Sequence, residues 1–234
     1  MKTTTIYWAV YSSINLQTRQ NLLMKDIESV RKNLSSKINS ANNKSSYMAC
    51  VSYHDYFKNT YILKHPYTTE WQYATNGSND LFNLRLNDSA FINSYLVDYD
   101  LQWIFFSEDD VELETTPAFF HQKESDKYGH IVAGSFNISK WFRPVSLSWQ
   151  LWENMQEIKF KEDDPIAYIK FHTQNKVKLQ RFELTPKLEE IANGCVGVKQ
   201  ILPNLTLTEL YSRFTKANRS KIIMNEINSS LGMN

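Results

Sequence analysis

The chain has 234 residues, of which 42% are hydrophobic, 14% aromatic and 22% charged, enough apolar volume for a folded core and against wholesale disorder. Its 26 Lys and Arg nearly cancel its 25 Asp and Glu, and a net charge of +1 lacks the footprint of a general nucleic-acid binder. Two cysteines, Cys50 and Cys195, are too few for a disulfide framework or a cysteine-only zinc site.

The first strand is expected over residues 3–11, where Ile6, Tyr7, Trp8, Val10 and Tyr11 favour extended backbone. Its apolar part, residues 6–10, is too short for the core of a signal peptide. No segment approaches the ~20 apolar residues that span a bilayer, so a cytoplasmic protein with no membrane partner is expected. Leu23, Ile27, Val30, Leu34 and Ile38 recur at helical spacing and predict a helix over residues 22–38. The Ser- and Asn-rich stretch at 35–46 reads as a surface loop.

Short β-prone runs follow at residues 59–64, 70–75 and 81–86, with Asn76, Gly77, Ser78 and Asn79 predicting a hairpin turn between the second and third. Residues 101–107, with Trp103, Ile104, Phe105 and Phe106, are almost continuously apolar and predict a central strand covered on both faces. Further strands are expected over 131–138, 148–152, 158–161, 166–172 and 177–184, the last two joined as a hairpin by Gln174, Asn175 and Lys176.

Beyond residue 185 the pattern turns helical. Thr185 caps a helix that opens with Pro186 and is expected to stop at Asn193 and Gly194. A second helix starts at Thr206 or Thr208 and presents Leu207, Leu210, Tyr211 and Phe214; a third spans 220–231. The expected fold is α+β in one domain. A mainly antiparallel β sandwich or rolled sheet occupies residues 1–185, with a C-terminal α-helical segment over 186–234 packed on it.

Five histidines, His54, His65, His121, His130 and His172, raise the question of a metal site, yet none is followed two residues later by a carboxylate. That spacing would place both ligands on one strand face. Carboxylates cluster instead at strand ends: Glu108, Asp109 and Asp110, with Glu112 and Glu114 beyond, and Glu162, Asp163 and Asp164. If the clusters meet in space, they form an acid–base pair or a cation site. Arg143, within Trp141-Phe142-Arg143-Pro144, suits stacking or pairing with a carboxylate. Lys170, Lys176, Lys178 and Arg181 make the expected hairpin basic, and Arg213, Lys216, Arg219 and Lys221 do the same for a helix. Cys50 lies four residues before His54, a spacing that does not by itself make a thiolate pair. With no phosphate-binding Gly loop and no G-x-S-x-G elbow, neither a cofactor nor a resident metal is expected.

The segments Tyr47-Met48-Ala49-Cys50 with Lys58-Asn59-Thr60-Tyr61, Trp141-Phe142-Arg143-Pro144, and Asp164-Pro165-Ile166-Ala167-Tyr168-Ile169-Lys170-Phe171 resemble a set in uncharacterised proteins of tailed bacteriophages. The resemblance implies a phage-encoded protein acting in an infected cell or in the virion, and it carries over no catalytic residues. Abundant Asn, Ile, Lys and Tyr beside only six Gly agree with an A/T-rich genome. Foremost among the functional expectations is a non-enzymatic binding or assembly module. It would contact a protein partner or a second copy through exposed aromatic and edge-strand surfaces. An enzyme is the second expectation, its carboxylate and His site formed where Glu108, Asp109, Asp110, Arg143 and His172 converge, with or without a metal. Contact with single-stranded nucleic acid through the basic hairpin is the third.

Overall fold

Runs of β-branched and aromatic residues give way to helix formers after residue 181, and the elements follow that order. The computed structural model describes residues 2–11, 20, 22–40, 50–72, 82–85, 96–152, 155 and 157–232. In chain order the strands are β1 (Thr3–Val10), β2 (Glu28–Ser29), β3 (Thr60–Lys64), β4 (Thr69–Gln72), β5 (Phe82–Arg85), β6 (Leu96–Phe106) and β7 (Glu112–Pro117). They continue as β8 (Gly129–Ile131), β9 (Gly134–Asn137), β10 (Pro144–Leu151), β11 (Glu157–Phe160), β12 (Pro165–His172) and β13 (Lys176–Arg181). The helices are α1 (Val30–Ser40), α2 (Val51–Tyr56), α3 (Pro186–Ile201), α4 (Leu207–Lys216) and α5 (Arg219–Ser230).

The first sheet has the order β13-β1-β6-β10-β8, with β5 also on β6; the second has the order β2-β3-β12-β7-β9. β4 and β11 form a separate ribbon. Among the described residues every pairing is antiparallel except that of β1 with β13, and neither sheet closes into a barrel. The fold is α+β with mainly antiparallel sheets and a helical C-terminus.

Strand alternation gives both sheets two apolar faces. From β6, Val97, Trp103 and Phe105 enter an interior shared with the second sheet, while Ile104 and Phe106 face the other way. From β12, Ala167, Ile169 and Phe171 enter the same interior, and Tyr168 turns outward. The C-terminal helices cover the outer side of the first sheet with Leu188, Ile191, Leu210, Phe214, Ile223 and Ile227. Val30 of α1 and Phe57, just after α2, cover Ile62 and Tyr168 on the outer side of the second. The layers therefore run helix, sheet, sheet, helix, and the continuous apolar run in β6 has the two covered faces expected of it. Each fully buried Phe or Ile contributes ~1.5–3 kcal/mol. At Gly129 the backbone of β8 comes so close to β10 that a Cβ would lie 2.0 Å from Gln150 O. Among the described residues no helix is long and apolar enough to cross a membrane.

Several local expectations give way to tertiary pairing. β12 and β13 form no hairpin: β12 lies between β3 and β7, whereas β13 pairs with β1 in the other sheet. Polar residues at 173–175 mark the reversal without specifying which neighbour each strand takes. The turn is tied down by Asn59, at φ 55°, whose Nδ2 donates to Thr173 O and Asn175 O at 3.0 Å each. Its Oδ1 accepts from Val177 N at 3.3 Å. Similarly, β4 pairs with β11 and β5 with β6, so among the described residues these two strands do not pair with each other; residues 73–81, with the expected turn at 76–79, lie outside the described residues.

The helix predicted over 22–38 is interrupted: Leu22 and Leu23 are helical, the chain leaves the helix over 24–29 as Glu28 and Ser29 pair with β3, and α1 starts at Val30, where Ser29 Oγ accepts from Lys32 N at 3.3 Å. It then runs to Ser40, through part of the stretch expected to be a loop. Asn193 and Gly194 do not stop α3, which continues to Ile201. The Tyr11 hydroxyl donates to the Asn193 side chain, and Ile191, Ala192 and Cys195 are buried against the first sheet, so packing overrides the local breaker. The predicted caps are present: Thr185 Oγ1 accepts from Leu188 N, and Thr206 with Glu209 forms a capping box.

Asn59→Ala deletes the side-chain bonds to Thr173, Asn175 and Val177 and keeps a Cβ at positive φ. It is expected to lower the unfolding free energy in urea titrations by about 2–4 kcal/mol. Asn59→Gly relieves the backbone and should lose about 1 kcal/mol less.

Candidate functional site

Four of the five side chains expected to converge are engaged elsewhere, and no hydrogen bond or ion pair joins any two of the five. Asp109 accepts from Thr4 Oγ1 at 2.6 Å. Asp110 pairs with Lys140 Nζ at 2.7 Å, and hydrogen bonding to that ammonium holds its carboxyl below the usual range. Glu108 is exposed. His172 Nε2 lies 2.7 Å from Glu114 Oε2 on the neighbouring strand. Arg143 donates from Nε to Pro144 O at 3.1 Å and sits 5.7 Å from the centre of the Phe136 ring; burial lowers the pKa of its guanidinium.

The two acidic clusters do not meet. Glu162 and Asp163 hold Lys25 at 2.7 and 2.9 Å, just before the Pro165 end of β12, while Glu112 lies beside His172 at the other end. A strand of 8 residues separates those ends by roughly 23 Å. Among the described residues no three His, Cys, Asp or Glu side chains are grouped to hold a metal ion. Cys50 is exposed, its thiol pKa lowered by the N–H groups of Tyr53 and Ser52, and burial pushes Cys195 up to about 11. The basic hairpin disappears with the topology. Lys170 lies over the Tyr56 ring on the second sheet, whereas Arg181 lies over Trp8 and donates to Leu23 O at 2.9 Å.

The second sheet does assemble a row on its outer face. Alternation along β12 sends Tyr168, Lys170 and His172 to that side. Next to Tyr168, Ala118 O accepts from His121 N at 2.9 Å and closes a tight turn with Phe119 and Phe120 at its centre. Both rings are exposed, at 52% and 44%, as is Tyr56 at 48%. They lie on an aromatic base: Phe119 and Phe120 are 5.0 Å apart, and Phe120 is 5.3 Å and Phe119 6.1 Å from the buried Phe57.

A chain of hydrogen bonds fixes that turn from below. Asn33 Nδ2 donates to Glu28 Oε2 at 2.8 Å, which directs Asn33 Oδ1 towards His121 Nε2 at 2.9 Å. An amide oxygen only accepts, so Nε2 carries the His121 proton and Nδ1 accepts from the Tyr168 hydroxyl at 2.6 Å. That hydroxyl in turn accepts from Phe120 N–H, while burial raises its pKa far above the usual tyrosine range. Beside the rings, Lys170 Nζ sits 4.6 Å over Tyr56 and Lys58 Nζ donates to Gln174 O at 3.0 Å. Neither ammonium has a carboxylate partner among the described residues. With Asp55 and His172 these lysines line a hollow of about 670 Å³.

No known protein family matches the chain, and neither a characterised protein nor a solved structure does. Of the residues on this face, sequence reasoning named His121, His172 and Lys170 and missed Phe119, Phe120, Tyr56 and Asn33. Two adjacent Phe directly after Pro117 and Ala118 are the available signal, since a tight turn leaves its central side chains in water.

Tyr168→Phe unpairs His121 Nδ1 and Phe120 N–H and is expected to lower stability by about 1–3 kcal/mol at neutral pH. Because the folded pKa is raised above 10.0, the unfolded chain loses this proton first and stability falls as pH rises past that value. In guanidinium titrations above that pH the wild-type loss should exceed that of Tyr168→Phe by about 1.4 kcal/mol per pH unit.

Proposed function

We propose that the protein is a non-enzymatic binding or assembly module that docks a protein partner on the outer face of its second sheet. The turn of Phe119 and Phe120 carries this reading: two rings held in water by a hydrogen-bonded base, beside the exposed ring of Tyr56. Aromatic anchors concentrate binding energy, and rings already fixed in position lose little freedom on docking. Lys58 and Lys170, which lack carboxylate partners among the described residues, favour a partner segment with acidic residues flanking its apolar anchor. The resemblance to tailed-phage proteins and the A/T-rich coding bias support a phage-encoded module whose partner is met in the cytoplasm of the infected cell or in the virion.

The test is capture of partners by the wild-type chain and by Phe119→Ser/Phe120→Ser, from cells in which the protein is naturally made. Each ring is about half buried on Phe57, so the double substitution should cost about 2–4 kcal/mol, and capture is compared at a temperature where circular dichroism shows the variant folded. A partner held by the wild type and released by the variant, and again by Lys58→Glu/Lys170→Glu, is the expected result. Equal capture by all three chains excludes this face. A wild-type dimer that the Phe substitutions make monomeric identifies the partner as a second copy.

A further inference from the structure

On the opposite outer layer, the helices that cover the first sheet leave an open cleft of about 810 Å³ between α3, α4 and α5. Its walls include Trp141, Ile191, Leu210, Phe214 and Ile222, with the rings of Trp141 and Phe214 6.1 Å apart. Cys195 at the wall adds another neutral surface, since burial keeps its thiol protonated up to about 11. The volume falls within the range of small-molecule sites, as does the pattern of an apolar lining with few polar groups.

Those polar groups are unevenly distributed. Arg213, in the last turn of α4, and Arg219, at the start of α5, both line the cleft, and among the described residues neither forms an ion pair, although Glu209 one turn earlier on α4 feels the charge of Arg213. Lys187 is already paired with Glu226 at 3.2 Å, and Glu190 is the one acid among the lining residues. The first turn of α5 holds no acidic residue, and its cap Asn218, at φ 55°, makes no side-chain cap bond. The positive end of that helix dipole therefore adds to the guanidinium charges. Arginine presents a planar fork of donors suited to carboxylate and phosphate oxygens.

We propose that this cleft binds a long-chain amphiphile, its apolar tail between Trp141, Leu210 and Phe214 and its anionic head on Arg213 and Arg219. A carboxylate and a phosphate head share this chemistry. The site is independent of the aromatic docking face and stands or falls separately from it.

The probes are dodecanoate, dodecyl phosphate, dodecanol and dodecyltrimethylammonium, each titrated into the full chain below its micellar limit by calorimetry. Dodecanoate and dodecyl phosphate should bind one molecule per chain, and whichever binds more tightly identifies the head group. Dodecanol should bind about tenfold more weakly or worse, and the ammonium should not bind. Arg213→Ser/Arg219→Ser should weaken dodecanoate about tenfold and leave dodecanol unchanged. A Cβ at Gly194, another lining residue, meets no atom within 4 Å, so Gly194→Leu has room to grow into the cleft and should abolish binding of every probe. Quenching by 2-bromododecanoate, lost in Trp141→Phe, gives a second readout should the Leu variant not fold. Equal affinity for all four head groups overturns the proposal, as does no binding at all. Concentration-dependent dimerisation that dodecanoate does not reverse also overturns it, because a second copy then fills the cleft.

Discussion

Trp103 and Phe105 leave β6 on one side and Ile104 and Phe106 on the other, and all are buried. A strand of this kind is stable only when water is excluded from both faces of its sheet. β12 imposes the same requirement on the second sheet through Ile169 and Phe171 inside and Tyr168 outside. Stacking the sheets satisfies one face of each and leaves two to be covered. Helices from opposite ends of the chain cover them, which sets the four-layer order.

The two covers differ in extent, and that difference leaves surface available for recognition. α3, α4 and α5 bury a long stripe of apolar side chains against the first sheet, and a seam between them stays open. α2 has only 6 residues, and the described side chains that seal the second sheet on this side centre on Val30 and Phe57, with Leu34 and Tyr53 packed against them. The turn of Phe119 and Phe120 completes that seal from the side and keeps one part of each ring in water. Acidic groups at strand ends pair with Lys25 and Lys140, residues 137 and 30 positions away in the chain.

The network from Glu28 through Asn33, His121 and Tyr168 to Phe120 N–H joins residues up to 140 positions apart in the chain. Each group in it has a partner of the right kind, and such fully satisfied buried networks fix one geometry instead of several. The aromatic turn thus owes its position to groups that are themselves polar and hidden.

Most strand-forming runs, the two-faced apolar pattern of β6, the caps at Thr185 and Thr206 and the helical C-terminus were legible along the chain, whereas β2 and β7 were not, and the run at 131–138 divides into β8 and β9 in different sheets. The legible features depend on residues within a few positions of one another, where alternation, helical spacing and capping chemistry act. Strand partnership was not legible, because the turn at 173–175 reads the same whether the next strand returns beside β12 or crosses to β1. Asn59, 114 residues from Thr173, decides it. Nor could the sequence show that the acidic clusters sit at opposite ends of β12, or that Phe119 and Phe120 stand exposed on a fixed base. Distances between groups remote in the chain are set by which apolar faces pack together, and only the tertiary structure contains that choice.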